Sequence, residues 1–99
     1  MEQSSDVGIT ALPPVLDLTA AGPLAADLLG RRGAPLMIDG SGVQRLGAQC
    51  LQVLMAAKAT WAADGNYFSV EAPSDALTET LAALGAADLV FQSTEENPA

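Results

Sequence analysis

Hydrophobic and polar positions follow two different periods along the chain, and the change between them is clearest in residues 36–65. Residues 36–38 form a short apolar run after Gly33 and Pro35. Such a run predicts a strand that is buried on both faces in the middle of a sheet. Residues 39–42 then combine Asp and Ser with two Gly, a composition typical of a turn. We therefore expect the strand to end at Asp39.

The stretch from Leu46 to Ala63 predicts one long helix. It contains no Pro, and its single Gly lies near the start, at position 47. Apolar residues recur at spacings of three and four, as they do on the buried side of a helix; they are Leu46, Cys50, Val53, Leu54, Ala57 and Trp61. Gly65 follows Asp64 and is expected to end the helix.

The N-terminal part of the chain predicts two short strands. Residues 7–12 alternate in hydrophobicity, as a half-buried strand does, and Pro13 and Pro14 interrupt the alternation. Residues 15–18 can resume as a second strand. Because so short a link cannot make a parallel crossover, we expect the two strands to be antiparallel neighbours.

A first helix is predicted after these strands. It begins at Thr19 or within the next three residues, and Pro23 is tolerated in its first turn. The positions expected on its buried side are Leu24, Leu28, Ala25 and Leu29. Arg31 and Arg32 are placed in the last turn, where cations interact favourably with the helix dipole, and Gly33 ends the helix.

The C-terminal part predicts a strand, a third helix and a last strand. Residues 66–70 are rich in aromatic and β-branched residues, and the long helix before them makes a right-handed crossover, so this strand is parallel to residues 36–38. Ser74 is the expected N-cap of the third helix, and Gly85 its end. The expected core positions of that helix are Leu77, Leu81 and Leu84. Residues 89–91 read as a final strand.

Together these elements predict a single α/β domain over residues 1–99 with the order β-β-α-β-α-β-α-β. Its sheet is expected to be mixed, with four or five strands and a parallel central portion. The ordered core spans about residues 7–91, between polar termini at 1–6 and 93–99. A chain of 99 residues is long enough for one hydrophobic core and too short for two.

Composition narrows the range of functions. Twelve acidic and four basic residues give a net charge of −8, which opposes binding to nucleic acid and to anionic membranes. The chain has no His and a single Cys, so we expect no disulfide, no metal site and no bound cofactor. No apolar run is long enough to span a membrane, and the first residues lack the basic start of a signal peptide. We therefore expect a cytoplasmic protein without membrane insertion.

Few residues are candidates for chemistry. The Asp39 carboxylate could act as a base, but a carboxylate that accepts turn N–H groups at a strand end is the commoner arrangement. Ser41 is a candidate phosphoacceptor or a turn residue. Cys50 falls on the apolar side of the long helix and is interpreted as a small buried hydrophobe. No nucleophile is paired with a base, so catalysis is not expected.

The segment from Asp39 to Leu54 resembles the central motif of STAS domains, the family of bacterial anti-sigma factor antagonists. The residues that match the family pattern are Asp39, Ser41, Val43, Leu46, Leu51, Val53 and Leu54. The resemblance implies the family fold over residues 7–91 and a role in docking a protein partner. It also aligns Ala48 with the phosphorylated Ser of the family, between Gly47 and Gln49. The usual phosphorylation switch is therefore expected to be missing.

Two classes of function remain open. The first is a non-enzymatic interaction module that binds a histidine-kinase-like ATPase or a chemotaxis component, or that acts as the STAS subunit of a lipid-transport ATPase complex. The second is a regulatory domain that binds a small anion or nucleotide at the start of the long helix. The expected partner-binding residues are Asp39, Ser41, Gln44, Arg45, Gly47, Ala48, Gln49 and Gln52. The oligomeric state is left open.

Overall fold

The structure is a computed structural model that describes residues 7–90. Its elements in chain order are β1 (Gly8–Ala11), β2 (Val15–Leu16), α1 (Leu18–Leu29), β3 (Leu36–Asp39), β4 (Arg45–Leu46), α2 (Ala48–Ala63), β5 (Phe68–Glu71), α3 (Asp75–Ala83) and the short 3-10 helix η1 (Ala87–Leu89). The α/β class, the three α-helices and the parallel central strands are confirmed.

The strands form two parallel sheets. β1, β3 and β5 make a three-stranded sheet with β3 in the middle, as predicted for that strand. β2 and β4 make a separate two-stranded sheet. Within residues 7–90 every strand pair is parallel. The parallel pairing of β3 with β5 across α2 is the crossover that the sequence predicts.

The core lies between the three-stranded sheet and the helices. The side chains of Leu36, Ile38 and Val70 are buried and share the face of the sheet that α2 and α3 pack against. Trp61 of α2 is buried, its ring lies 5.7 Å from the Phe68 ring, and its indole N–H donates to the Ala34 carbonyl at 2.8 Å. The thinnest extent of the molecule is 22 Å, which suits one sheet and one helix layer.

The predicted antiparallel pair at the N-terminus is wrong. β1 pairs with β3 and β2 pairs with β4, both in parallel. The two prolines do not reverse the chain here. Proline favours extended backbone, so the chain runs on past Pro13 and Pro14 in the same direction and moves from one sheet to the other. It is α1 that returns the chain to β3.

Several expectations for the helices are also wrong. Leu29, expected on the buried side of α1, is 66% exposed. α1 ends at Leu29 and is capped by Gly30, whose N–H donates to the Ala26 carbonyl. Arg31 and Arg32 therefore lie beyond the last turn rather than in it. α2 begins at Ala48, because Leu46 belongs to β4, and it ends at Ala63 as predicted.

The C-terminal expectations are correct only in part. Ser74 caps α3 as predicted, since its hydroxyl accepts the Leu77 N–H at 3.0 Å. Leu77 and Leu81 are buried, but Leu84 follows the helix and is 49% exposed. The strand predicted at residues 89–91 is wrong for Leu89, which is the last residue of η1. The backbone after Gly85 forms helical hydrogen bonds, from the Leu89 N–H to Ala86 and from the Val90 N–H to Ala87. Phe91 and the two polar termini lie outside the described residues.

Candidate functional site

The turn after β3 is stabilised by the side chain of Asp39, the last residue of the strand. The Asp39 carboxylate Oδ1 accepts the Ser41 backbone N–H at 2.9 Å. Hydrogen bonding from the backbone and side chain of Ser41 lowers the pKa of the Asp39 carboxyl and outweighs the effect of partial burial. The interpretation of Asp39 as a turn acceptor is confirmed. The carboxylate is held ionised and already partnered, which is unsuited to a general base.

Gly40 lets the start of α3 lie directly on this turn. Its N–H donates to the Glu71 carbonyl at 2.9 Å, and its own carbonyl accepts the Ser74 N–H at 3.1 Å. A Cβ at position 40 would lie 2.6 Å from Leu77 Cδ2. Only Gly can therefore occupy this position without moving a fully buried leucine.

Ser74 links the turn to α3 a second time. Its hydroxyl donates to the Val43 carbonyl at 2.6 Å while it accepts the Leu77 N–H. One side chain thus caps a helix and fixes the loop 31 residues earlier in the chain. The sequence predicts the cap and does not predict the contact with Val43, because nothing in a local pattern marks a hydrogen bond over that separation.

Gln44 and Arg45, at the start of β4, are held by their backbone N–H groups. The N–H groups of both residues donate to the Pro14 carbonyl, at 2.7 and 3.1 Å. Both side chains remain exposed to solvent, as predicted. Sequence reasoning missed this strand because two residues are too few to show a period.

Arg45 differs from the other cations of the described chain. Arg31 forms an ion pair with Asp27 and Arg32 one with Asp64, and Lys58 donates to the Asp88 carbonyl. Over residues 7–90, Arg45 makes neither a salt bridge nor a side-chain hydrogen bond. Within the described residues, no side chain therefore competes with a group of another molecule for this guanidinium.

The start of α2 has no side-chain cap. Gly47 is the N-cap in extended backbone, and its N–H donates to the Leu16 carbonyl at 2.8 Å. Ala48 and Gln49 follow in the first turn, and both are exposed. Gln52 lies one turn further along on the same exposed side. The predicted site residues from Gln44 to Gln52 are thus all exposed, over β4 and the first turns of α2.

Cys50 anchors the buried side of the same turn. It is fully buried, and its thiol donates to the Asp17 carbonyl at 3.3 Å. Burial, with a smaller contribution from the nearby Asp17 charge, raises the pKa of the thiol. A buried thiol with a raised pKa is a poor nucleophile, in agreement with its interpretation as a packing residue.

A shallow depression of about 260 Å³ lies beside the helix start. It is lined by Leu16, Asp17, Gln44, Arg45, Leu46, Gly47 and Thr80. Asp17 and Thr80 are additions to the predicted site. The Asp17 carboxylate accepts the Thr19 hydroxyl at 2.7 Å and the Ala20 N–H at 3.2 Å. The Thr19 hydrogen bond is the main cause of the lowered pKa of Asp17.

The site residues fall into two groups. Asp39 and Ser41 lie in the turn at the end of β3, and their polar groups are used within that turn. Gln44, Arg45 and Gly47 line the depression, and Ala48, Gln49 and Gln52 follow along the chain as exposed residues of α2. In residues 7–90 no group of three or more His, Cys, Asp or Glu side chains is placed to hold a metal ion.

Residues 2–91 match the family model described as Mlab, STAS domain. The protein is a member of the STAS family. STAS domains are generally non-enzymatic regulatory modules that interact with protein partners, and the family supports an anti-sigma-antagonist-like module. No curated protein and no solved structure matched the chain. In residues 7–90 of this STAS domain, no helix is both long and apolar enough to cross a membrane.

Proposed function

We propose that this STAS domain is a non-enzymatic interaction module of bacterial signalling that docks a protein partner. The docking surface consists of the β3–α2 loop and the start of α2, with Gln44, Arg45, Ala48, Gln49 and Gln52 as its exposed members. Asp39, Ser41 and Gly47 support this surface through the backbone bonds described above. In this proposal the domain binds its partner without a cofactor or a metal ion.

One observation carries the proposal: the backbone that leads into the exposed start of α2 is held by hydrogen bonds from two other parts of the chain, residues 14–16 and Ser74. The carbonyls of Pro14 and Leu16 and the hydroxyl of Ser74 hold residues 43–47 in place. A surface that is already ordered loses little conformational entropy on binding, so more of its contact energy appears as affinity. Such a surface suits protein docking better than a flexible loop would.

The charge of the surface indicates what the partner offers. Arg45 is the cation that makes neither a salt bridge nor a side-chain hydrogen bond in the described part of a chain with a net charge of −8. A carboxylate on the partner would pair with it and would select against partners that present a cation there. We propose an ATPase as the partner, because the histidine-kinase-like and lipid-transport settings that the family suggests both include one. A chemotaxis component is the alternative.

The test of the docking surface is Ala48→Glu. Ala48 is exposed in the first turn of α2, where a carboxylate is favourable by about 0.3–1 kcal/mol, so the melting temperature should not fall. Partner affinity should fall tenfold or more, which needs only about 1.4 kcal/mol of repulsion. The partner is first isolated by pull-down, with Arg45→Glu as the control bait. Calorimetry then measures affinity, and thermal melting measures stability.

Ala59→Glu is the matched control. It places the same charge on an exposed position of the same helix, about three turns from Ala48 and about two turns from Gln52. Partner affinity should be the same for Ala59→Glu as for the unmodified domain. Unchanged affinity in Ala48→Glu, with an unchanged melt, would show that the partner binds elsewhere.

We further propose that the domain is constitutive. Ala48 has no oxygen to phosphorylate at the family position, and incubation with an anti-sigma kinase and ATP should leave the intact mass unchanged. Ser41 is exposed in the turn after β3, and its hydroxyl is the alternative phosphoacceptor. An added phosphate that maps to Ser41 would contradict the proposal.

The alternative function is binding of a small anion or nucleotide. The depression of about 260 Å³ beside Arg45 and Thr80 favours it, since it places a guanidinium and a hydroxyl near the uncapped start of α2. Gly47 and Ala48 add no side-chain donors there, which makes protein docking the better supported function. Calorimetric titration with phosphate and with ATP decides between them, because an interaction module releases no heat with either.

A further inference from the structure

β1 forms one edge of the three-stranded sheet. The Gly8 N–H donates to the Pro35 carbonyl at 3.0 Å, and the Leu12 N–H donates to the Asp39 carbonyl at 2.9 Å. Even-numbered residues of β1 therefore direct their backbone groups toward β3. The N–H and C=O groups of Ile9 and Ala11 point the other way, and no strand among residues 7–90 pairs with them.

This edge lacks two of the usual protections against pairing, which are charged side chains and a bulge. Exposed edge strands commonly bear charges or a bulge that blocks another strand. Residues 7–16 contain no charged side chain, and the register of β1 with β3 runs without a bulge. Ile9 is 64% exposed on the face of the sheet away from the helices. Pro13 blocks the strand only at its C-terminal end.

We propose that the partner of this edge is a second copy of the chain, with β1 antiparallel to β1 around a two-fold axis at Thr10. In this register Ile9 lies opposite Ala11 of the second copy, and the two residues exchange both of their outward backbone hydrogen bonds. The Val7 N–H of one copy donates to the Pro13 carbonyl of the other. Proline has no N–H to return this bond, so the ladder ends there on both sides of the axis. The result is one continuous six-stranded sheet.

Charge is the reason to favour a second copy at this edge. A net charge of −8 opposes self-association wherever acidic surfaces meet. Here two uncharged segments meet. Asp39 is paired with Ala11 across the sheet of its own copy. In the antiparallel register, this row of paired residues continues across the interface to Ile9 and then Met37 of the second copy. The Asp39 carboxylates of the two copies therefore lie in different rows and do not face each other.

The small size of the contact determines how strong the dimer can be. Each copy contributes one strand of four residues, whereas stable complexes bury about 800 Å² on each partner. We therefore expect a weak dimer that dissociates on dilution. Its edge does not include the residues of the proposed docking surface, so the two proposals are tested by different variants.

Sedimentation equilibrium of the full chain over a range of concentrations tests the proposal. The mass should rise with concentration from 10.1 kDa toward twice that value. Ile9→Lys should weaken the association at least tenfold, although it makes the net charge less repulsive. Leu29→Lys is the matched control, because Leu29 is equally exposed, at 66%, on α1. It should leave the association unchanged.

Disulfide trapping tests the register. Two Thr10→Cys copies would face each other across the axis with Cα atoms about 4.5 Å apart, within the range of a disulfide. Ala11→Cys would face Ile9 instead and should form far less covalent dimer on oxidation. The native Cys50 is fully buried and common to both variants.

Three outcomes would overturn the proposal. The first is a chain that stays at 10.1 kDa at every concentration, as it would if another segment of the chain already covered the edge. The second is an association that Leu29→Lys abolishes and Ile9→Lys does not, which would move the interface to the surface of α1 around Leu29. The third is Ala11→Cys trapping a dimer as readily as Thr10→Cys.

Discussion

The starts of α2 and α3 use their first turns in opposite ways. At α3, Ser74 caps the helix and holds the Val43 carbonyl, and Asp75 adds a favourable charge in the first turn. At α2, Gly47 supplies no cap, and Ala48 and Gln49 face solvent. The polar groups of α3 serve the fold, whereas the first turn of α2 is left available for contacts outside the domain.

The largest effect is expected at the buried side of α3. Leu77→Ala removes a fully buried side chain that packs on Gly40, and it should lower the free energy of unfolding by about 2–5 kcal/mol. Urea denaturation measures the change. Leu84→Ala is the control, because Leu84 is half exposed beyond the end of the same helix and its loss should cost far less. Equal losses would mean that the start of α3 does not support the loop.

Ser74→Ala should have the next largest effect. It removes the cap of α3 and leaves the Val43 carbonyl without its donor, at a cost of about 1–2 kcal/mol in the free energy of unfolding. Hydrogen exchange should also become faster in residues 43–47. Thr78→Ala changes an exposed hydroxyl of the same helix and serves as the control. Unaltered exchange in this loop would show that Ser74 acts on α3 alone.

Gly47→Ser tests whether α2 can be given a side-chain N-cap like that of α3. The extended backbone at position 47 suits any residue, and an added Cβ would lie 3.4 Å from the Leu16 carbonyl oxygen, which is an ordinary contact. A serine cap should raise the free energy of unfolding by about 0.3 kcal/mol, and thermal melting measures the change. A lower melting temperature would instead show that the chain at Leu16 tolerates nothing larger than Gly.

The smallest effect is expected at Asp39, whose carboxylate is exposed and screened by water. Its pKa is lowered in the folded state, so its stabilising contribution is present above the unfolded value of about 3.9. That contribution is lost as the pH falls through the folded value. Asp39→Asn keeps an oxygen to accept the Ser41 N–H. The stability difference between Asp39 and the variant should therefore shrink from pH 6 to pH 3, and a constant difference would contradict the assignment.

The candidate site shows where sequence reasoning succeeds and where it stops. Asp39 was placed correctly because an Asx turn is local, within two residues. The exposure of Gln44 and Arg45 followed from their positions off the apolar repeat. The Pro14 carbonyl that holds them and the Ser74 hydroxyl that holds the neighbouring Val43 lie about 30 residues away in either direction and leave no periodic signal.

The sequence by itself determined the long helix, the central strand and the cap at Ser74. Each depends on a repeat or a motif within a few residues, and local preferences agree with the final structure there. It also determined the family, through a pattern that runs over residues 2–91.

Only the tertiary structure decided how the strands pair. β1 and β2 joined two different sheets, and β4 formed from two residues with no pattern of their own. Strand pairing depends on the path of the crossover helix and on backbone groups that every residue shares, so side-chain order carries little information about it. For the same reason the open edge of β1 became visible only when the sheet was in place.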